Sequence, residues 1–177
     1  LTDIEALPKG LLFWRSSTHF IGGLGVVLFI MMILPSIGTV RMKISKMDMA
    51  DVSKKHYNFK SNQYLKVVAG VYISLAITSF VAYMLAGMSA FDAINHAFST
   101  VATGGFSTKN ASIAAFNSWA VELVAIVFMI LSSMHFGLLY TSIVNWSDDI
   151  FKDPIANFYL ITIVVSTIFV GLNLVST

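Results

Sequence analysis

The sequence predicts an all-α transmembrane protein with about four membrane spans and one re-entrant helix that enters the membrane without crossing it. Three observations carry that expectation. The 177 residues are 56% hydrophobic and only 11% charged, whereas an average soluble domain has roughly 25% charged residues. The mean hydropathy of +0.79 agrees, and the charges are clustered so that long uncharged runs lie between them. One further uncharged run is short, and a double glycine interrupts it.

Residues 16–40, 67–91 and 123–147 are each 25 residues without Asp, Glu, Lys or Arg, and residues 154–177 are 24. As helices such runs are roughly 36 Å long, enough to cross a hydrocarbon core of about 30 Å with some tilt. Lys9 and Arg15 precede the first run, where LPKGLLFWR reads as an interfacial entry with Trp14 at headgroup depth; Trp119 opens the third run in the same way. Pro35 and Gly38 bend or end the first helix near its far end, because proline removes a backbone donor.

Orientation follows from the basic residues. The segment from Arg41 to Lys66 holds seven of the eleven (Arg41, Lys43, Lys46, Lys54, Lys55, Lys60, Lys66) against Asp48 and Asp51, a net +5. A loop this short and basic lies in the cytoplasm, so loop 41–65 is inside and the short uncharged run 93–108 faces outside. The loop NWSDDIFKDP is acidic, and only parity places it inside. There is no cysteine, which excludes disulfides and thiol-bound metals. The chain starts at Leu1 and reads as part of a longer polytopic protein.

The stretch HAFSTVATGGFST, residues 96–108, raises the functional question. Ser89-Ala90-Phe91-Asp92 has the spacing of a helix N-terminal capping motif, with an acid near the positive end of the dipole. A helix over 90–102 extends about 20 Å, past mid-membrane but not across. Gly104 and Gly105 are expected to stop it, and the residues up to Thr108 carry the chain back, about 16 Å over roughly five extended residues. Backbone outside a helix cannot face lipid, since each unpaired amide or carbonyl costs several kcal/mol there. Such a segment offers carbonyl oxygens and the hydroxyls of Thr103, Ser107 and Thr108 as uncharged ligands, with the negative end of a helix aimed at them. That chemistry suits a monovalent cation that must leave again, whereas calcium or magnesium recruits acids. The competing reading is a plain turn between two packed helices.

The helix-strand-helix order around HAFSTVATGGFST, followed by KNASIAAF, resembles the second pore-loop repeat of the TrkH/KtrB family of bacterial potassium transporters. LPKGLLFWRSSTHFIGGLGVV is similar to the segment after that family's first pore loop, including its GGLG or GGMG signature. The resemblance implies helix-pore loop-helix repeats, potassium-channel-like, around one potassium pathway. It divides the chain into 1–40, the end of a first repeat with its outgoing helix; 41–65, a cytoplasmic basic loop; 66–147, a complete second repeat; and 148–177, a cytoplasmic loop and the first helix of a third. Within the second repeat it places a helix at 66–88, a pore helix at 90–102, a filter strand at 102–106 and a helix at 118–146. The implied filter is Ala102, Thr103, Gly104, Gly105 and Phe106, with Gly105 as the shared filter glycine and K+ as the transported ion. This departs from the Thr-Val-Gly-Tyr-Gly of tetrameric potassium channels. The resemblance further implies a homodimer in the bacterial cytoplasmic membrane and a cytoplasmic nucleotide-binding regulatory subunit of TrkA type. The basic loop is either a contact for that subunit or a solvated, lipid-facing loop that sets orientation. No nucleic-acid partner is expected.

Other residues carry weaker signals. GGLG lies within an apolar run, not between a strand and a helix, so Gly22, Gly23 and Gly25 read as close packing against the pore helix and not as a nucleotide loop, with Ala69 and Gly70 read alike. His135, mid-span beside Ser132 and Ser133, either faces a cavity below the filter or is a neutral histidine bonded within the bundle. Glu122 favours the N-terminus of its helix and also suits an outer vestibule that attracts cations. His19 and His96 read as interfacial or packing residues. No catalytic triad or metal-ligand spacing is present. Beside potassium transport stand a sodium-dependent KtrB-type transporter, a membrane scaffold, and an intramembrane enzyme using His135 and Glu122.

Overall fold

The computed structural model describes residues 3–33, 61–145 and 153–176, which contain helices and no β-strand. In order these are α1 (Lys9–Ile33), α2 (Ser61–Leu85), α3 (Ala90–Val101), a 3-10 turn (Ser112–Phe116), α4 (Trp119–Ser132), α5 (Phe136–Asn145) and α6 (Pro154–Ser176). The expected bend at Pro35 and Gly38, most of loop 41–65, and the loop of Asp148 and Asp149 lie outside the described residues.

Helix starts follow capping chemistry more than hydropathy. Residues 61–65, expected in the basic loop, are the first turns of α2, since helical hydrogen bonding needs no apolar side chain. Likewise α1 begins at Lys9, where the Pro8 carbonyl takes the N–H groups of Leu11 and Leu12, so the entry segment is already helical. Asp153 starts α6 by accepting from the N–H groups of Ile155 and Ala156, both at 2.9 Å, with Pro154 in the first helical position.

Lys66–Leu85 and Pro154–Leu174 are each long and apolar enough to cross a membrane. The third expected span, a continuous helix over 118–146, is instead broken. Helices α4 and α5 meet at 107° across residues 133–135. The Ser133 hydroxyl bonds back to the Met129 carbonyl at 2.9 Å, and the His135 carbonyl starts α5 by accepting from Leu138 and Leu139. A serine hydroxyl that bonds back to its own turn is a recognised place for a helix to bend. The first expected span is helical to Ile33.

The short helix α3 sits at the centre, packed by α1, α2 and α4, while α5 folds back onto α2. One core joins Tyr72, Leu75, Val101, Met134 and Leu139; a second joins Tyr83, Met88, Ala93, Ala97 and Val121. The contacts between α1 and α3 advance together along both chains: Ser16 with Asn95, Phe20 with Phe98 (ring centroids 4.6 Å apart), Gly23 with Ala102. The two helices therefore run parallel. Beyond its first turns α6 exposes most of its apolar side chains.

Of the GGLG glycines, only Gly23 has atoms within 4 Å of where a Cβ would stand; for Gly22, Gly25 and Gly70 none of the described atoms comes so close. A Cβ on Gly23 meets the Tyr72 hydroxyl at 2.7 Å and Ala102 at 3.3 Å. That hydroxyl is held, donating to the Phe20 carbonyl at 3.0 Å. Gly23→Ala in the full-length protein is expected to lower the thermal unfolding midpoint, with a loss of about 1–3 kcal/mol typical of overpacking. Gly22→Ala should leave it nearly unchanged, and equal effects at the two positions would refute this account.

Candidate functional site

Helix α3 starts as the Ser-x-x-Asp spacing requires. Ser89 is extended (φ −63°, ψ 152°), its hydroxyl oxygen accepts from the Asp92 N–H at 3.2 Å, and its proton goes to the Asp92 carboxylate at 2.7 Å. The other carboxylate oxygen of Asp92 accepts from the Thr108 hydroxyl at 2.6 Å. With 12 residues, α3 is about 18 Å long, roughly half the depth of a hydrocarbon core.

The chain then returns along α3, pinned at three levels. The Ser99 carbonyl takes the Gly104 N–H at 2.7 Å, and the Ser99 hydroxyl takes the Phe106 N–H. His96 meets Ser107 at 2.9 Å through Nε2, and Asp92 meets Thr108. The Asp92 carbonyl, 2.7 Å from His96 Nδ1, can only accept, so Nδ1 carries a proton; Nε2 of the neutral ring accepts from the Ser107 hydroxyl. The Ser107 oxygen in turn accepts the Lys109 N–H. His96 is 2% exposed, so the packing role read for it is combined with a fixed hydrogen-bonding role.

Outside this ladder a second clamp joins the start of the chain to the loop. The Asn110 carbonyl oxygen accepts the Ile4 N–H at 2.7 Å, and its amide donates to Asp3 at 2.9 Å. The Asn110 amide, then the Ala6 N–H, hold the Asp3 carboxyl below its ordinary value. What Asp3 contributes is thus present above about pH 4 and lost as pH falls through the lowered value.

The double glycine does not end the helix in the way the sequence suggests. Helix α3 stops at Val101, Thr103 donates to the Thr100 carbonyl and Gly104 to the Ser99 carbonyl, and Thr103 takes the left-handed position with φ 53°. This is a Schellman closure. Helix α2 ends by the same pair of bonds, Gly87 to Met84 and Met88 to Tyr83, with glycine at the left-handed position, φ 100°. A β-branched residue there is rare and costs about 1–3 kcal/mol. The two glycines serve different ends: Gly105 has φ 68° with no atom within 4 Å of a Cβ, whereas a Cβ on Gly104 would collide with the His19 imidazole. Residues 102–106, the expected filter strand, are a turn at 102–103 followed by irregular backbone.

The N–H groups of Ala102, Thr103, Gly104 and Phe106 all donate within the protein. Among the described residues the Ala102 carbonyl accepts from the Thr103 hydroxyl alone, at 2.8 Å. Among the described residues no donor reaches the carbonyl oxygens of Thr103, Gly104, Gly105 or Phe106. The turn is therefore donor-poor and acceptor-rich, with Thr103 and Gly105 exposed.

Two residues of α1, Arg15 and His19, lie against this turn. The Arg15 guanidinium stands 3.7 Å from the Phe106 ring centroid, and the His19 ring lies 4.5 Å from it. Ser16 donates to the Asn95 side chain, which donates to the Phe91 carbonyl at 2.6 Å. The spacing Arg15, Ser16, His19, Gly23 marks one helix face and was the available signal. Glu122 is exposed in the first turn of α4, and His135 is exposed at the α4–α5 bend; the structure groups neither with the Arg15–His19–Phe106 cluster.

Comparison with known proteins gives a consistent result. A profile of the family described as TrkH, cation transport protein, matches residues 1–171. The chain is 36% identical over 166 residues to the Trk system potassium uptake protein TrkH of Halomonas elongata, covering 91% of this chain and 34% of that protein. It is 40% identical over 147 residues to the Trk system potassium uptake protein TrkG of Escherichia coli, covering 79% and 29%. The crystal structure of the potassium transporter TrkH from Vibrio parahaemolyticus superposes with a TM-score of 0.72 at 33% identity, covering 89% of this chain and 31% of that one. The chain thus spans about a third of the length of the relatives it matches.

The paired helix ends make a direct test of backbone strain. Gly87→Ala, with no atom within 4 Å of the new Cβ, should destabilise by about 1–2 kcal/mol through its left-handed backbone alone. Thr103→Gly should stabilise by up to about 1 kcal/mol, strain relief exceeding the entropy of glycine. Denaturation midpoints of the full-length variants check both signs.

Proposed function

Because the chain belongs to the TrkH cation transport family, we propose that it forms one filter-bearing section of a potassium-transporting membrane protein. The backbone oxygens of Ala102, Thr103, Gly104, Gly105 and Phe106 replace part of the hydration shell of K+. The observation that carries this reading is the asymmetry of the turn: its N–H groups are tied to α3 while the oxygens of residues 103–106 receive no donor among the described residues. An acceptor left without a donor in a low-dielectric layer costs about 1–3 kcal/mol. A weakly held cation removes that penalty and is released again.

The reading extends to topology. Helix α3 is a re-entrant pore helix whose C-terminal end, with its partial negative charge, faces the ion. Residues 66–147 make one repeat, 1–40 end the preceding one, and 148–177 begin the next. Loop 41–65 lies in the cytoplasm and the filter faces outside, as its basic residues favour. The ring of ligands is completed by filter segments outside this chain, in the bacterial cytoplasmic membrane. The full protein is a homodimer working with a cytoplasmic nucleotide-binding subunit of TrkA type. Glu122 and His135 then serve an outer vestibule and a cavity below the filter, with no catalytic role.

Gly105 offers the cleanest test, because a side chain there has room but not the backbone conformation. In the full-length protein Gly105→Ser is expected to reduce potassium uptake and lower the potassium-to-sodium preference roughly 5- to 30-fold, the equivalent of about 1–2 kcal/mol at one ion site. Unchanged uptake with unchanged sodium discrimination would remove residues 102–106 from the ion path.

A further inference from the structure

The α1 face that backs the turn includes one side chain placed to shape it. The His19 ring occupies the space a Cβ at Gly104 would need and stands 4.5 Å from the Phe106 ring. Gly104 lacks the left-handed φ that would by itself demand glycine; among the described residues, clearance from His19 is what demands it. Arg15, one turn earlier on the same face, lies against Phe106 as well. The His19 Nδ1 atom is buried and has no hydrogen-bond partner among the described residues. Its ring therefore acts here as a shaped wall and not through that nitrogen.

We propose that His19 is a positioning residue for the filter. Its imidazole backs residues 104–106 from the neighbouring helix, requires glycine at 104, and limits how far the turn can retreat from an ion. This rests on the filter reading above. A wall against a turn whose carbonyls at 103–106 receive no donor among the described residues matters for selectivity: potassium and sodium differ in the cage radius they prefer, and a turn free to recoil accommodates both. Phe106 transmits the restraint, because its N–H is tied to Ser99 on α3 while its ring is held from α1.

The experiment is a four-member cycle in the full-length protein: wild type, Gly104→Ala, His19→Ala and the double variant, read by potassium and sodium uptake and by thermal unfolding. Gly104→Ala should lose uptake roughly 5- to 150-fold, the range expected of one overpacked contact. His19→Ala in that background should recover most of it. His19→Ala alone should lower the potassium-to-sodium preference, and His19→Phe, which restores a flat ring, should recover that preference. Unfolding midpoints should be strongly non-additive for positions 19 and 104. Additive midpoints, an unrescued Gly104→Ala, or an unchanged ion preference in His19→Ala would overturn the assignment. A wild-type protein that carries no potassium would overturn the filter reading instead, and the 19–104 coupling would still report on the contact.

Discussion

Where a helix stops, the backbone groups of the chain that follows need new partners, and Ser99 supplies two of them here. Its carbonyl accepts the Gly104 N–H and its hydroxyl accepts the Phe106 N–H, so one side chain and its own peptide group satisfy both flanks of the turn. With those donors occupied, the oxygens of residues 103–106 receive no donor among the described residues. The outward register then follows from the two bonds further along the helix, His96 to Ser107 and Asp92 to Thr108. Each pairs an α3 side chain with a hydroxyl on the return path, at spacings of three to four residues on α3. The ladder lies on one helix face.

The opposite side of the turn is closed by α1. Ser16, Phe20 and Gly23 form a stripe along a helix running parallel to α3, and each successive contact lies further along both. Small residues appear where the approach is tightest, at Gly23 beside Ala102 and at Gly104 beside His19. In lipid, where apolar side chains gain little by leaving their surroundings, such close contact is a main source of helix association. The position of the turn is thus set by two helices acting together: α3 fixes its donors and α1 fixes its distance.

Strain is concentrated at the same place. Thr103 holds a left-handed backbone that Gly87 holds freely in the equivalent position of α2. The Thr103 hydroxyl donates to the Ala102 carbonyl, which offsets part of that cost. Keeping a β-branched residue exposed and at a costly angle, beside carbonyls that no donor among the described residues reaches, fits a site whose geometry matters more than its stability.

Much of this was legible in the sequence, for identifiable reasons. Uncharged run lengths, the Ser89–Asp92 cap and the basic cluster from Arg41 to Lys66 are local signals, and they led to a helical membrane protein with a short helix near residues 90–102. The resemblance around HAFSTVATGGFST led to the family. Less legible were the features that depend on what lies opposite. The break at residues 133–135 is hidden within an unbroken apolar run, because hydropathy does not register a hydroxyl bonding back to its own turn. The double glycine was readable as a stop; only the packed chain divides it into a residue that clears His19 and one that adopts φ 68°, while giving the helix end itself to Thr103. His19 and Arg15 carried no local mark beyond a shared helix face, since their role comes from a ring 87 or more positions away in the chain. The sequence by itself determined which segments enter the apolar layer, since transfer cost is a sum over residues. Tertiary structure decided which backbone groups of the turn are tied and which side chains close on it, since that depends on the donors and walls that distant segments bring to the same place.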